Sequence, residues 1–99
     1  MGGVTFEWDA RKADANFKKH RVTFEDAAGV FLDPLAMTYV DPDDALRERR
    51  EITIGCTMKA HLVFVSHCER GKRIRIISAR LATRSERRQY EEGIGSETR

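Results

Sequence analysis

Three β-prone segments follow one another almost without interruption: "RREITIGC" (residues 49–56), "HLVFVSH" (61–67) and "KRIRIISAR" (72–80). Each alternates apolar and polar side chains, and the connections are too short for anything but hairpins, the second being a tight "ERGK" turn. An antiparallel meander therefore forms the centre of the fold, and the rest of the chain has to pack on it. With 99 residues and 40% apolar content there is material for one core. Residues 1–93 read as a single domain and 94–99 as a flexible C-terminal tail.

The flanking segments are legible from their punctuation. "VTFEW" (4–8) alternates as a strand, and Asp9 stands where a helix N-cap belongs, ahead of a helix running to about His20. Thr23 caps a second helix, with Asp26 three residues on and Phe24, Ala27, Ala28, Phe31 and Leu32 at helical spacing before Pro34. "LAMTYV" (35–40) reads as a strand and "DPDD" (41–44) as a turn, while 45–49 fit no single element. Thr83 and Glu86 make a capping box for a last helix that ends near Glu92, before Gly93. The expected order is β-α-α-β-β-β-β-α, an α+β domain whose helices cover one face of a small antiparallel sheet.

Hairpin register sorts the strands into two faces. A turn at Arg70–Gly71 sets Phe64 opposite Ile77 and Ser66 opposite Arg75; a loop centred on Met58 and Lys59 sets Ile54 opposite Val63 and Ile52 opposite Val65. Ile52, Ile54, Cys56, Val63, Val65, Ile74 and Ile76 then form the core face. Arg49, Glu51, Thr53, Leu62, Phe64, Ser66, Cys68, Arg73, Arg75 and Ile77 form a mixed face suited to a ligand. A three-residue loop would exchange the faces of one strand relative to its neighbour.

Charge is concentrated where this meander ends. Residues 70–90 carry eight Lys or Arg against the single acid Glu86, although the whole chain is only +2. Localised positive charge suits a polyanion or an acidic protein. Arg75, on the mixed face, either grips a phosphate or pairs with Glu51 across the sheet. Arg80 belongs by parity to the core face and either acts on substrate or caps the last helix through a salt bridge. His67, at a strand end, either moves protons near neutral pH or is structural. Tyr90 either packs in the core or offers its hydroxyl to a substrate. Arg84, Arg87 and Arg88 share one helix face, either solvated or extending a basic groove with Lys72, Arg73 and Arg75. Trp8 and Phe64 either stack on bases or fill the core. His20, His61 and His67 show no metal-ligand spacing and no CxxC accompanies them, so no metal and no cofactor is expected. Cys56 and Cys68 lie too far apart in this register for a disulfide. The N-terminus lacks a signal-peptide pattern and no apolar run is long enough to span a membrane, which suggests a cytoplasmic protein.

Several motifs together resemble a known family. "FEWD" with Lys12, Asn16 and "KKH" ending at His20, then "VTFEDAAGVFLDP", "EITIG", "VSHCERG" and "IRIISARLATRSERRQYE" are similar to the BrnT toxins over about Phe6 to Glu92. The resemblance implies a RelE-like fold and a ribonuclease toxin of a type II toxin–antitoxin system. It implies metal-independent RNA cleavage that inhibits translation. It also implies neutralisation by a BrnA-like antitoxin in a heterotetramer of two toxins and two antitoxins, with operator DNA bound only through the antitoxin. The family's motif positions fall on His67, Arg75, Arg80 and Tyr90, with Glu7, Trp8, Lys12 and His20 in the N-terminal motif. On this reading the ribose 2′-hydroxyl attacks the adjacent phosphate, which Arg75 and Arg80 stabilise. His67 or Glu51 moves protons, Tyr90 orients the substrate, and Arg49, Lys72, Arg73, Arg84, Arg87 and Arg88 hold the RNA backbone. One departure is Arg21, which stands where the family's "KHG" has glycine.

Overall fold

The computed structural model describes residues 4–42 and 49–97, the last four of these by backbone alone. The elements are β1 (Thr5–Glu7), α1 (Ala10–His20), α2 (Phe24–Ala28) with a 3-10 turn over Gly29–Leu32, β2 (Met37–Val40), β3 (Glu51–Cys56), β4 (Leu62–Arg70), β5 (Arg73–Leu81) and α3 (Arg84–Glu97). The order is the expected one. The helix caps form as their residues dictate: Asp9 accepts from the amides of Arg11 (2.8 Å) and Lys12 (3.3 Å), and Thr23 from that of Asp26 (3.0 Å). Thr83 and Glu86 exchange amide bonds of 2.9 and 3.2 Å. Helix α3 continues past the expected end at Glu92 to Glu97. The second half of the expected 41–44 turn, all but Arg49 of the unassigned 45–49 stretch, and the last two residues of the expected tail lie outside the described residues.

The sheet has five strands in the order β1-β5-β4-β3-β2. It is mixed rather than wholly antiparallel, because β1 runs parallel to β5, with Phe6 opposite Ile74 and Glu7 opposite Arg75. No hairpin joins these two strands, so nothing local forces them antiparallel. Helices cover both faces, not one. On one face α1, α2 and the 3-10 turn bury Val63, Val65, Ile76 and Ala79 beneath Val22, Phe24, Ala27 and Val30. On the other, Tyr90 of α3 packs over Ile52, Ile54 and Leu62, with Met37, Cys56 and Phe64 beside them.

This double cover follows from one loop. Residues 58–60 form a three-residue hairpin loop, closed by a 2.8 Å bond from the Thr57 amide to the His61 carbonyl, with Ala60 left-handed at φ 65°. Ile54 consequently faces Phe64, and Ile52 faces Ser66, one residue off the expected register. The slip sends Ile52, Ile54 and Cys56 to the face opposite Val63 and Val65, and α3 covers them.

Two side chains complete strands where their outer neighbours stop. Beyond β1, Asn16 of α1 bonds both backbone groups of Ala79, donating to its carbonyl at 2.8 Å and accepting from its amide at 3.1 Å; it also donates to the Val22 carbonyl at 3.1 Å. Beyond β2, the Asp33 carboxylate accepts from the Cys56 amide at 2.9 Å. Gly55 permits that approach, since a Cβ there would meet the Ala36 Cβ at 2.9 Å. Arg21 takes the left-handed cap of α1 at φ 61° even without glycine, and its amide bonds the Phe17 carbonyl at 2.8 Å.

Candidate nucleic-acid interface

Strand β5 carries the basic segment, and a β-bulge sets its orientation. Near the turn Cys68 faces Arg75 and His67 faces Ile76; past the shift Ser66 faces Ser78 and Phe64 faces Arg80, leaving Ile77 unpaired. Ile76 and Ala79, three apart, thus both enter the α1–α2 core. Arg73, Arg75 and Arg80 then all project from the α3 face. Without the bulge, Arg75 and Arg80 would point to opposite faces, which is why alternation alone assigned Arg80 to the core face.

Glu7 is the partner of Arg75, in place of Glu51. β1 places Glu7 on the α3 face because Phe6 is turned into the α1–α2 core. Its carboxylate accepts from Arg75 Nη1 at 2.9 Å and Arg73 Nη1 at 3.3 Å. The Arg75 hydrogen bond, joined by that of Arg73, holds the Glu7 pKa below its ordinary value of 4.5 against the opposing effect of burial. The group stays open to solvent, with side-chain exposures of 24% for Glu7, 30% for Arg75 and 63% for Arg73. Lys72 is exposed at the adjoining turn.

Arg80 has a different setting. Its two terminal nitrogens bond the two Glu86 oxygens at 2.9 Å each, and its guanidinium lies 3.9 Å from the Phe64 ring centre. Because Glu86 also belongs to the capping box, Arg80 clamps the start of α3 to β5. The salt-bridge alternative is the one realised, and Phe64 lies beneath that clamp. Trp8 is partly buried and packs against the α1–α2 core, edge-on to Phe24 at 5.8 Å.

The remaining expected site residues are not brought to Arg75. His67 is 2% exposed and faces the α1–α2 core, edge-on to Phe31 at 4.9 Å, with Nε2 2.8 Å from Thr53 Oγ1 and Nδ1 unpartnered. Burial depresses its pKa to about 4, so the ring is neutral at physiological pH. Glu51 pairs with His67 and so points to that same face, away from Arg75. Tyr90 packs in the α3 layer and donates to Asp33 Oδ2 at 2.6 Å. Arg84, Arg87 and Arg88 are exposed on α3 and Arg49 at the entry to β3. Both cysteines are free thiols. Among the described residues no group of three or more His, Cys, Asp or Glu converges, and no helix is long and apolar enough to cross a membrane.

An open cleft of about 420 Å³ lies elsewhere, against α2, lined by Val4, Phe6, Phe31, Leu32 and Met58 with Glu25 at its rim. It lacks the arginines and carries little acid–base chemistry. Glu7 itself had a sequence signal, since in "TFEW" it is out of phase with Phe6 and Trp8 and must leave the core if they enter it.

Comparison with curated protein sequences returned no significant match. Among solved structures, the 1.1 Å crystal structure of the Brucella abortus ribonuclease toxin BrnT superposes with a TM-score of 0.62 at 26% identity, over 83% of this chain and all of that one. The family model described as "Ribonuclease toxin, BrnT, of type II toxin-antitoxin system" matches residues 8–86. The chain belongs to the BrnT family of type II toxin–antitoxin ribonuclease toxins.

Proposed function

We propose that this protein is a metal-independent endoribonuclease that cuts messenger RNA and so inhibits translation, and that its arginine face is covered by a cognate BrnA-like antitoxin. The observation that carries this reading is the solvent-open Arg73–Glu7–Arg75 group on the face of β5 that, among the described residues, α3 leaves uncovered. Only one Arg75 donor is engaged by Glu7 among the described contacts, so its planar fork has N–H groups left for phosphate oxygens. Preorganised guanidinium charge of this kind stabilises the extra negative charge that builds as a 2′-oxygen attacks phosphorus. Arg73 and Lys72 extend the grip along the backbone, and Arg84, Arg87 and Arg88 supply a second basic row. Arg80 acts indirectly by fixing α3 to β5.

On this reading the antitoxin competes for the same basic face, and a heterotetramer of two toxins and two antitoxins that meets operator DNA only through the antitoxin is the assembly that the family resemblance implies. The RelE-like fold that the family resemblance implies is part of the same proposal, and a small sheet flanked by helices supports it. Induction of the chain alone should arrest growth and shorten cellular transcripts, and co-expression of its cognate antitoxin should relieve both. Intact RNA and normal growth on induction would remove the reading and favour a basic docking module.

A further inference from the structure

Acid–base chemistry at the arginine face requires a proton acceptor, and the geometry singles out one. Glu86 is held by both Arg80 nitrogens and by Thr83. Asp33 is occupied by the Cys56 and Leu35 amides and the Tyr90 hydroxyl. Asp26 bonds His61 on the α1–α2 side at 3.1 Å. His67 is buried and Glu51 faces away. Glu7 alone among the described carboxylates lies within hydrogen-bond distance of Arg73 and Arg75 while keeping solvent access.

We infer that Glu7 is the general base of the cleavage reaction, which rests on the ribonuclease reading above. One guanidinium, Arg75, touches the carboxylate on one edge and has donors for a phosphate on another, so base and scissile phosphate are neighbours across a single planar group. A Glu7 oxygen takes the proton of the 2′-hydroxyl as the 2′-oxygen–phosphorus bond forms. The bond from phosphorus to the 5′-oxygen breaks, and that oxygen takes a proton from water. The products are a 2′,3′-cyclic phosphate and a 5′-hydroxyl, and Glu7 returns its proton to solvent. Arg73 and Arg75, the charged groups that face it, keep Glu7 ionised throughout the neutral range, so it is always in the accepting form.

The test uses the purified full chain with a labelled mixed-sequence RNA, and the 2′-O-methyl version of that RNA as an uncleavable probe of affinity. E7Q is expected to lower kcat at least 100-fold while Kd for the 2′-O-methyl RNA changes less than threefold. E7D keeps the charge against both arginines but withdraws the carboxylate, and is expected to lose at least tenfold in kcat at unchanged Kd, which covers a failure of E7Q to fold. E7Q or E7D turning over within threefold of wild type overturns the assignment. So does a loss of affinity in E7Q as large as that in R75A, since Glu7 would then only position the arginines. If R75A binds and cuts as wild type, or wild type cuts nothing, the ribonuclease site itself is wrong and the base falls with it.

Discussion

The Tyr90 hydroxyl donates to the Asp33 carboxylate at 2.6 Å, and this contact ties the helix on one face of the sheet to the loop that leaves the other. Asp33 is able to reach it because β2 pairs only as far as Met37 with Ile54, leaving the Cys56 amide for the carboxylate to take. Burial and the bond to Asp33 push the Tyr90 pKa up, so the hydroxyl stays protonated and keeps donating. Asp33 remains ionised despite its own burial, because Cys56, Tyr90 and Leu35 all donate to it.

Tyr90→Phe should therefore destabilise the fold by about 1–2 kcal/mol, the loss expected when a partly buried charged acceptor loses one donor. RNA cleavage by the folded fraction should stay within twofold of wild type. Urea unfolding followed by single-turnover cleavage checks both. A tenfold loss of cleavage at wild-type stability would instead put the hydroxyl on the substrate.

Asn16→Ala should cost about 2–4 kcal/mol, because it leaves the Ala79 amide and carbonyl unsatisfied at a buried strand edge. Thermal unfolding is the readout. Aspartate should not rescue, since it cannot donate to the Val22 and Ala79 carbonyls.

Among the described residues, two that are not glycine hold left-handed conformations, Arg21 and Ala60. Arg21→Gly and Ala60→Gly should each raise stability by about 1 kcal/mol by relieving the left-handed penalty, partly offset for Arg21 by its contact over Phe17. Chemical denaturation of each variant decides it.

How far the chain could be read unaided divides at these positions. Caps at Asp9, Thr23 and Thr83 were legible because donor and acceptor lie within three residues of each other. The β3–β4 register was not, because the left-handed loop residue is Ala60 rather than the glycine that announces such loops. The bulge at Ile77 likewise has no local signature, yet it decides that Arg75 and Arg80 share a face. Alternation correctly placed Arg73 and Arg75 opposite Ile74 and Ile76. It also set Glu7 out of phase with Phe6 and Trp8, but it could not bring Glu7 to Arg75, because that strand comes alongside β5 from the far end of the chain. His67 had a plausible proton-transfer setting at a strand end until the fold buried it against Phe31.

Stability should fall on acidification through His67. Its pKa is about 4 in the fold against 6.5 unfolded, so the unfolded chain binds the proton first. The stability associated with the neutral ring is complete above pH 6.5 and is lost as pH drops toward 4, by up to about 3 kcal/mol from this residue. A pH series of unfolding midpoints should show this slope, and His67→Phe should flatten it. An equal slope in the variant would assign the effect to other groups.

In the proposed function, the open face of β5 is where RNA is held and cut. The most direct test of this is kcat/KM for RNA cleavage by Arg75→Ala, measured beside its melting temperature. Loss of at least 100-fold with the melting temperature within a few degrees of wild type is the predicted result. Cleavage by Arg75→Ala as fast as wild type would contradict it.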